Sequence, residues 1–290
     1  MRRAVLCITL CVTVSAIGCR RGEGESTTPD TEGGGGTGES FAATPTPPPP
    51  PPPTEVSLRL IHAAASASKV PVSATFTAEE GDQPLAEALE FGSTSAYSEA
   101  TLAPDSTKIA MAVTAEGFEA PSGEQPVSDG AHHTFIVFSA PDTTDQLDLA
   151  VTLDEGSGPE EGMKARFFHA LVGWDAVDVC TPGATSKAPG EPVFTNVGYG
   201  GFASIGYQPI PPETKQLKIR VANEETPCSG KVIGGVTLQP PEGVDPSGKN
   251  LTLIAIGRAK GRPAVAKALL VCTDSPDEAP ACFRLPMKAR

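Results

Sequence analysis

The sequence has few basic residues and very few large aromatic ones. Lys and Arg together number 22 against 35 Asp and Glu, which gives a formal net charge of −13, and the chain has one Trp and three Tyr. Nucleic acids and anionic lipid surfaces attract proteins through clustered Lys and Arg. The charge therefore argues against nucleic acid as a partner, and we interpret the acidity as a solubility feature of an exported protein.

Sequence signatures of several enzyme classes are also missing. The chain has no His-Glu-x-x-His, Walker phosphate loop or Gly-x-Ser-x-Gly. It has no Cys-x-x-Cys pair either, which disfavours a zinc finger. We therefore expect no catalytic residues, no metal and no cofactor, and a protein that is not an enzyme. An exported hydrolase that uses carboxylates or a metal is the alternative, because two acids facing each other across a cleft need no fixed sequence spacing.

What is present begins with a segment typical of export. Arg2 and Arg3 precede an uncharged, mostly apolar run over 4–17, which has the length of a signal-peptide core and is short for a bilayer span. Small residues then lead to Cys19. This segment resembles the lipobox of bacterial lipoproteins, in which a signal peptide, here 1–18, is cut before a cysteine that becomes acylated.

The lipobox resemblance implies a lipid such as palmitate on Cys19 and an exported protein that is anchored to a membrane. No Asp follows Cys19. In well-studied Gram-negative systems an Asp there resembles an inner-membrane retention signal, so we favour the outer membrane or the cell surface.

Residues 19–54 have the composition of a tether. They contain four consecutive Gly, many Ser and Thr, and seven consecutive prolines, Pro47–Pro53. Such a stretch has too little apolar side chain to offset the entropy lost on ordering. The proline run is expected to form polyproline II and to reach about 20 Å at about 3.1 Å per residue. We therefore predict a disordered spacer between the anchor and the folded part.

From residue 55 onward the sequence repeats itself once. Leu58–Ala63 aligns with Ala165–Ala170, each with Arg at its second position and each ending in His-Ala. Tyrosines and two further strand-like runs align in the same order, and the offset drifts only from 107 to 118. This pattern predicts a duplicated domain, with a first repeat over 55–154 and a second over 163–290. The Asp-, Glu- and Gly-rich segment 154–162 is interpreted as the joint between them.

Each copy contains short, alternating strand-like runs separated by Pro, Gly, Asp and Ser, without a long segment of period 3.6. Residues 85–89 could form a helical turn, but their counterpart 193–197 reads as a strand, so we discount that turn. Several short strands within a repeat of this length predict an all-β protein with two tandem immunoglobulin-like β-sandwich domains.

Four cysteines remain after the signal peptide and Cys19 are set aside. An even number in an exported chain indicates two disulfides, for which three connectivities are possible. We favour Cys180–Cys228 within the second repeat and Cys272–Cys282 as a local link that pins the C-terminal tail.

The matched strands ending in His-Ala, the segment Trp174–Val179 and the later strand Gly248–Gly257 resemble the domain of unknown function 4397 family. The second repeat fits the family pattern well and the first more loosely, since Pro71 stands where the second repeat has Asp178. The resemblance implies exported, often lipid-anchored proteins with tandem β domains and with no agreed catalytic residues.

Five residues are candidates for binding: Trp174, Asp175, Asp178, His62 and His169. Each His closes an apolar strand, where an imidazole can bond to backbone and fix a turn, and we favour this structural role over a ligand role. Trp174 lies in a loop and could serve as a platform for a sugar or a protein. The two Asp residues are interpreted first as loop-capping and edge-strand residues.

These features together predict a lipid-anchored cell-envelope protein that displays two β-sandwiches for binding, adhesion or structural contact. Its expected partners are the membrane, through the lipid anchor, and an envelope protein or a glycan.

Overall fold

The computed structural model describes residues 49–154, 158–159, 161–185, 188–242, 244–258, 264–275, 279 and 281–288, all of which belong to one compact unit. The described residues form strands and no helix, so the all-β prediction is confirmed. None of them forms a helix that could cross a membrane. The expected signal peptide, Cys19 and most of the tether lie outside the described residues.

The first repeat contributes eight strands: β1 (Thr54–His62), β2 (Val72–Ala78), β3 (Gly81–Leu89), β4 (Ser98–Leu102), β5 (Lys108–Thr114), β6 (Ser122–Pro126), β7 (Ala131–Ser139) and β8 (Leu147–Asp154). The second repeat contributes nine: β9 (Met163–Val172), β10 (Ala176–Cys180), β11 (Pro192–Gly198), β12 (Gln208–Ile210), β13 (Gln216–Val221), β14 (Val232–Thr237), β15 (Asn250–Arg258), β16 (Val265–Thr273) and β17 (Cys282–Pro286).

Each repeat is a sandwich of two sheets. In the first repeat an inner sheet of order β4-β1-β7-β8 packs on an outer sheet of order β3-β2-β5-β6. In the second repeat an inner sheet of order β12-β9-β15-β16-β17 packs on an outer sheet of order β11-β10-β13-β14. Neighbouring strands are antiparallel except for the parallel pairs β1–β7 and β9–β15. The immunoglobulin-like assignment itself stays a prediction.

The two inner sheets pack against each other through a third apolar core. This core includes Ile61 and Phe138 from the first repeat and Phe168 and Ile254 from the second, and the two Phe rings meet edge to face at 5.3 Å. The strands β1, β7, β9 and β15 are therefore covered on both faces, which explains their nearly continuous apolar sequences. Outer strands such as β5 alternate between buried and exposed residues instead.

Three local expectations can be compared with these strands. Residues 85–89 lie in β3, so the helical turn was rightly discounted. Thr54, expected as the last residue of the tether, is the buried first residue of β1. Asp154, expected to open the joint between repeats, is the last residue of β8, and its side chain is only 1% exposed.

The described residues contain two disulfides, and they are the pairings favoured from the sequence. Cys180–Cys228 links the end of β10 to the loop before β14, and Cys272–Cys282 links the adjacent strands β16 and β17. The second disulfide holds the C-terminal strand on the edge of the inner sheet.

Candidate functional site

Eight polar side chains meet between the two inner sheets. Each repeat supplies an Arg, a Thr, an Asp and a Tyr from matched positions, and we call these residues the inter-repeat cluster: Arg59, Thr134, Asp154 and Tyr97 from the first repeat, and Arg166, Thr252, Asp274 and Tyr207 from the second. The side chains of both Arg and both Asp residues are at most 3% exposed. The repeats are therefore joined by charge as well as by apolar contact.

The two closest ion pairs of the cluster are exchanged between the repeats, while the pairs Arg59–Asp154 and Arg166–Asp274 within each repeat are longer, at 3.9 and 3.7 Å. Arg59 of β1 pairs with Asp274, which follows β16, and Arg166 of β9 pairs with Asp154 at the end of β8. Each guanidinium also bonds to a carbonyl oxygen next to the carboxylate that it pairs with, at 2.5 Å in both cases. Each arginine thus reaches out of its own repeat and into the other.

Hydroxyl groups within each repeat hold these charges in place. The Nε atoms of Arg59 and Arg166 donate to the hydroxyls of Thr134 and Thr252, at 2.7 and 2.8 Å. Each threonine hydroxyl also lies within hydrogen-bonding distance of the aspartate in its own repeat. Each threonine therefore connects the arginine and the aspartate of its own repeat. That aspartate in turn forms the close ion pair with the arginine of the other repeat.

Tyr97 and Tyr207 complete the cluster. The hydroxyl of Tyr97 donates to Asp154 at 2.6 Å, and that of Tyr207 donates to Asp274 at 2.7 Å. The guanidinium carbons of Arg59 and Arg166 lie 5.0 and 4.9 Å from the centres of these rings, within cation–π range. Burial raises the pKa of both tyrosines, so they remain neutral donors.

The electrostatics of the cluster favour fixed charges. Burial alone would lower the pKa of Arg166, but the carboxylates of Asp274 and Asp154 outweigh it and raise that pKa above its usual value. The same balance holds for Arg59. Two cations and two anions compensate each other, and the additional hydrogen bonds offset part of the cost of removing them from water. Neither the arginines nor the tyrosines exchange protons near neutral pH, so the cluster is suited to joining the repeats.

His62 and His169, predicted as possible binding residues, are fully buried. The Nε2 atom of each faces a backbone carbonyl oxygen, 3.3 Å away on Val70 and 3.0 Å away on Trp174. The Nδ1 atom of each accepts a hydrogen bond from the amide two residues further along the chain. Burial lowers the pKa of both imidazoles to about 4. Both residues fix turns as neutral side chains, which is the role that the sequence favours.

Asp178 is buried as well, in β10. Its carboxylate accepts hydrogen bonds from the backbone amides of Asn196 at 2.8 Å and Cys228 at 2.9 Å. Both donors have positive φ angles, so the carboxylate holds an irregular position of strand β11 and a turn before β14 against β10. The side chain has a structural role beside the Cys180–Cys228 disulfide.

Trp174 and Asp175 reach a surface opening between the repeats, in contrast to the other three candidates. We call it the junction cleft; its volume is about 250 Å³, and it is lined by Pro141, Asp142 and Thr143 of the first repeat and by Val172, Gly173, Trp174, Asp175, Tyr199 and Arg258 of the second. The hydroxyl of Tyr199 donates to the carbonyl of Ser139 across the boundary, at 2.6 Å. The Trp174 ring is half-buried and has the ammonium of Lys267 5.4 Å from its centre, so it is not an open platform.

The inter-repeat cluster was missed from the sequence, although a signal for it was present. Arg59 and Arg166 stand at matched positions inside apolar strands, and so do Thr134 and Thr252. A charged residue that recurs inside a buried strand requires a partner of opposite charge. Asp154 was overlooked because the Gly- and Glu-rich sequence after it resembles a linker.

No protein-family model and no curated protein matches the chain. The resemblance to the domain of unknown function 4397 family therefore stays a prediction from the residues. Within the described ranges, no group of three or more His, Cys, Asp or Glu residues is placed to hold a metal ion.

Proposed function

We propose that the chain is a lipid-anchored cell-envelope protein that presents a rigid pair of β-sandwiches for noncovalent contact with an envelope protein or a glycan. Its role is binding or structural rather than enzymatic. One observation carries the proposal: the charged residues that recur in both repeats pair with each other across the boundary and join the two sandwiches.

The rigidity of the joined repeats is what such a role requires. The third apolar core and the exchanged ion pairs fix the orientation of one sandwich relative to the other. Surfaces on both repeats are then held at a constant separation. Weak contacts made by both can act together, because binding through the first raises the effective concentration of the second.

Two features support a location outside the cytoplasm. Disulfides persist in oxidising compartments, and the described part of the chain contains two. The lipobox-like segment and the Gly- and Pro-rich sequence after it supply an anchor and a spacer in this proposal. The outer membrane or the cell surface is the proposed location.

Substitution of Cys19 tests the anchor. Cys19→Ser is expected to abolish labelling by a palmitate analogue and to release the protein from the membrane fraction, because serine has no thiol to acylate. Cys11→Ser, which changes a cysteine inside the proposed signal peptide, is the matched control and should leave both unchanged. Membrane fractionation that does not respond to Cys19→Ser would contradict the anchor.

Binding is tested with the immobilised full chain and native envelope extract. Saturable retention of a defined protein or glycan is the expected result. Stoichiometric metal in the purified chain, or turnover in a broad hydrolase screen that is lost with Asp175→Asn, would show the enzymatic alternative instead.

A further inference from the structure

The C-terminal strand β17 closes one side of the second sandwich. It pairs antiparallel with β16, and Phe283 and Leu285 pack against the core of that sandwich. The chain then continues to Lys288, which exchanges backbone hydrogen bonds with Gly235 of β14 in the outer sheet. Strand β17 and this tail therefore cover the gap between the two sheets.

Among the described residues, no strand of the first sandwich lies in the corresponding position. Its inner sheet ends at β8, and none of the described strands pairs with the outer edge of β8. Glu119 bonds to Asp145 and Leu147 at the start of this edge, and the part from Leu149 onward lies beyond that contact. Leu269 and Val271 of β16, which β17 covers, are 1% and 3% exposed. Their matched residues in β8 are Leu149 and Val151, and both are only half-buried. The difference follows from the missing strand.

The outer edge of β8 also presents backbone hydrogen-bonding groups. The bond from the amide of Ala140 to the carbonyl of Gln146, together with the β7–β8 register, sets which residues of β8 bond to β7. In an antiparallel pair the bonding residues alternate. The amides and carbonyls of Leu149 and Val151 therefore point away from β7, toward the open edge. The amide of Leu149 donates to the carboxylate of Asp148 at 2.8 Å, so an added strand would find a donor and an acceptor on Val151 and an acceptor on Leu149.

An apolar groove runs beside this edge. We call it the edge groove; its volume is about 210 Å³, and it is lined by Pro126, Val127, Ser128, His133, Val151, Thr152 and Leu153. Leu153 is 52% exposed, and it is one of two large apolar residues that are prominently exposed among the described residues. The groove lies beside Val151, whose matched residue Val271 stands opposite Phe283 in the second repeat.

A basic residue in β17 indicates what else an added strand would carry. Arg284 stands opposite Leu270, and its guanidinium extends across to the first repeat. It lies 4.4 Å from the centre of the Phe91 ring and donates a hydrogen bond to the carbonyl of Phe91. The contact places an arginine of one repeat on an aromatic residue of the other.

The matched residue of Phe91 is Tyr199, which lines the junction cleft. Ala150 is the matched residue of Leu270. In an added strand, the side chain opposite Ala150 would therefore extend toward that cleft, as Arg284 extends from its position opposite Leu270 toward Phe91. Exposed carboxylates of Asp142 and Asp175 line it, together with the buried Arg258. The cleft therefore offers an aromatic ring and an excess of acids, an environment that suits a cation.

We propose that the outer edge of β8 is a strand-addition site for an extended segment of a partner protein. This segment has a basic residue between two apolar residues. The proposal rests on the proposed binding function and names its partner class. Main-chain bonds to Leu149 and Val151 provide affinity. The edge groove takes the apolar side chain opposite Val151, the other apolar side chain packs on the half-buried Leu149, and the junction cleft takes the basic one.

Charge favours a foreign basic strand over a second copy of this chain. Strand β8 carries the exposed Asp148 and no Lys or Arg, and the whole chain has a net charge of −13. Two such edges repel each other, whereas a basic segment is attracted. Edge strands that avoid pairing commonly carry Lys or Pro, and β8 has neither.

The probe is a capped, fluorescent peptide, Thr-Phe-Arg-Leu-Thr, titrated into the purified full-length chain. We expect saturable binding and slowed hydrogen exchange at the amide of Val151. Replacing Arg by Glu in the peptide is expected to weaken binding by about ten-fold, because the cleft is acidic. The combined substitution of Asp142→Asn and Asp175→Asn should remove that preference.

Leu153→Lys is the decisive variant, because a charge beside the groove opposes the apolar side chains of an added strand. It is expected to weaken peptide binding by about ten-fold or more, because charged side chains on an edge strand oppose pairing. Ile205→Lys is the matched control, since Ile205 is 53% exposed and lies in the second repeat, and it should change nothing.

Three results would overturn the proposal. The first is that the peptide shows no saturable binding, and the second is that Leu153→Lys and Ile205→Lys have equal effects. The third is that the chain associates with itself and that Leu153→Lys abolishes this association, because a second copy would then be the occupant. If the peptide fails while the immobilised chain still retains an envelope component saturably, the strand-addition site is wrong and the proposed binding function stands. If neither binds, both are wrong.

Discussion

Arg59 and Asp274 lie 215 residues apart in the chain and form an ion pair in which neither side chain is exposed to solvent. Arg166 and Asp154 repeat this pair in the reverse direction, from the second repeat to the first. The two pairs convert a tandem duplication into a single structural body.

The first prediction concerns the cost of breaking one pair. Asp274→Asn leaves Arg59 buried with less compensating charge, and the free energy of unfolding is expected to fall by about 3 kcal/mol. Adding Arg59→Met should restore part of the loss, because the uncompensated charge is then removed. Urea unfolding monitored by circular dichroism measures both. Lys108→Met, which breaks an exposed pair with Glu124, should leave the unfolding midpoint unchanged.

The second prediction concerns acid stability. The pKa values of His62 and His169 are about 4 in the folded protein and near 6.5 when unfolded. As the pH falls from 6.5 toward 4, the unfolded chain takes up protons that the folded chain does not, so stability is full above pH 6.5 and declines below it. The decline should reach about 2–3 kcal/mol per histidine.

This pH dependence is measured as the urea midpoint between neutral pH and pH 4.5. A variant with both His62→Asn and His169→Asn should show a flatter profile, even if its midpoint at neutral pH is lower. An equally steep profile in the variant would assign the acid sensitivity to other groups.

The third prediction concerns the tyrosines. Burial raises the pKa of Tyr97, Tyr199 and Tyr207, which are all the tyrosines of the chain. Phenolate absorbance should therefore not develop around pH 10, where an exposed tyrosine ionises, and should appear together with unfolding at higher pH. Gradual ionisation of one tyrosine while circular dichroism stays constant would contradict its buried position.

The fourth prediction concerns the disulfides. Removing Cys180–Cys228, whose partners are 48 residues apart, is expected to cost about 4 kcal/mol by loop entropy. Removing Cys272–Cys282, whose partners are 10 residues apart, should cost about 3 kcal/mol by the same argument. Paired Cys→Ala variants in urea unfolding give the comparison. If removing Cys272–Cys282 costs more stability than removing Cys180–Cys228, holding β17 in place contributes more to stability than loop length does.

The fifth prediction concerns the connection between the repeats. A protease site inserted within residues 155–161 should allow cleavage without separation, because the third core and the exchanged ion pairs hold the halves together. Co-elution in size-exclusion chromatography after cleavage is the expected result. The same cleavage in a chain with Arg59→Met and Arg166→Met should release the halves more readily at increasing urea.

The sequence predicted what depends on local pattern. The duplication, the strand content and the disulfide pairing follow from residue spacing. Residues 85–89 are an example, because their alignment with the strand-like 193–197 indicated the strand that they form in β3. The packing of one inner sheet on the other could not be predicted. A strand that is buried on both faces has a continuous apolar sequence, and this sequence does not indicate which sheet covers each face. The role of Asp154 depends on Arg166 from the other repeat, which no local pattern shows.

The C-terminal tail shows the same limit. The link between Cys272 and Cys282 was favoured from the sequence, but short spacing between cysteines does not indicate that the pinned segment is a strand that covers a core. That function depends on β14 and β16, and only the fold brings these strands to the tail.

The exchange of ion pairs has the pattern of an isologous contact, in which the same patch serves on both partners. In a homodimer of one gene, every substitution in such a patch appears twice. Here the two patches are encoded separately, so each half can change without altering the other. Strand β17 is one such difference. It pairs with β16 at the edge of the second repeat, whereas none of the described strands pairs with the outer edge of β8 in the first repeat.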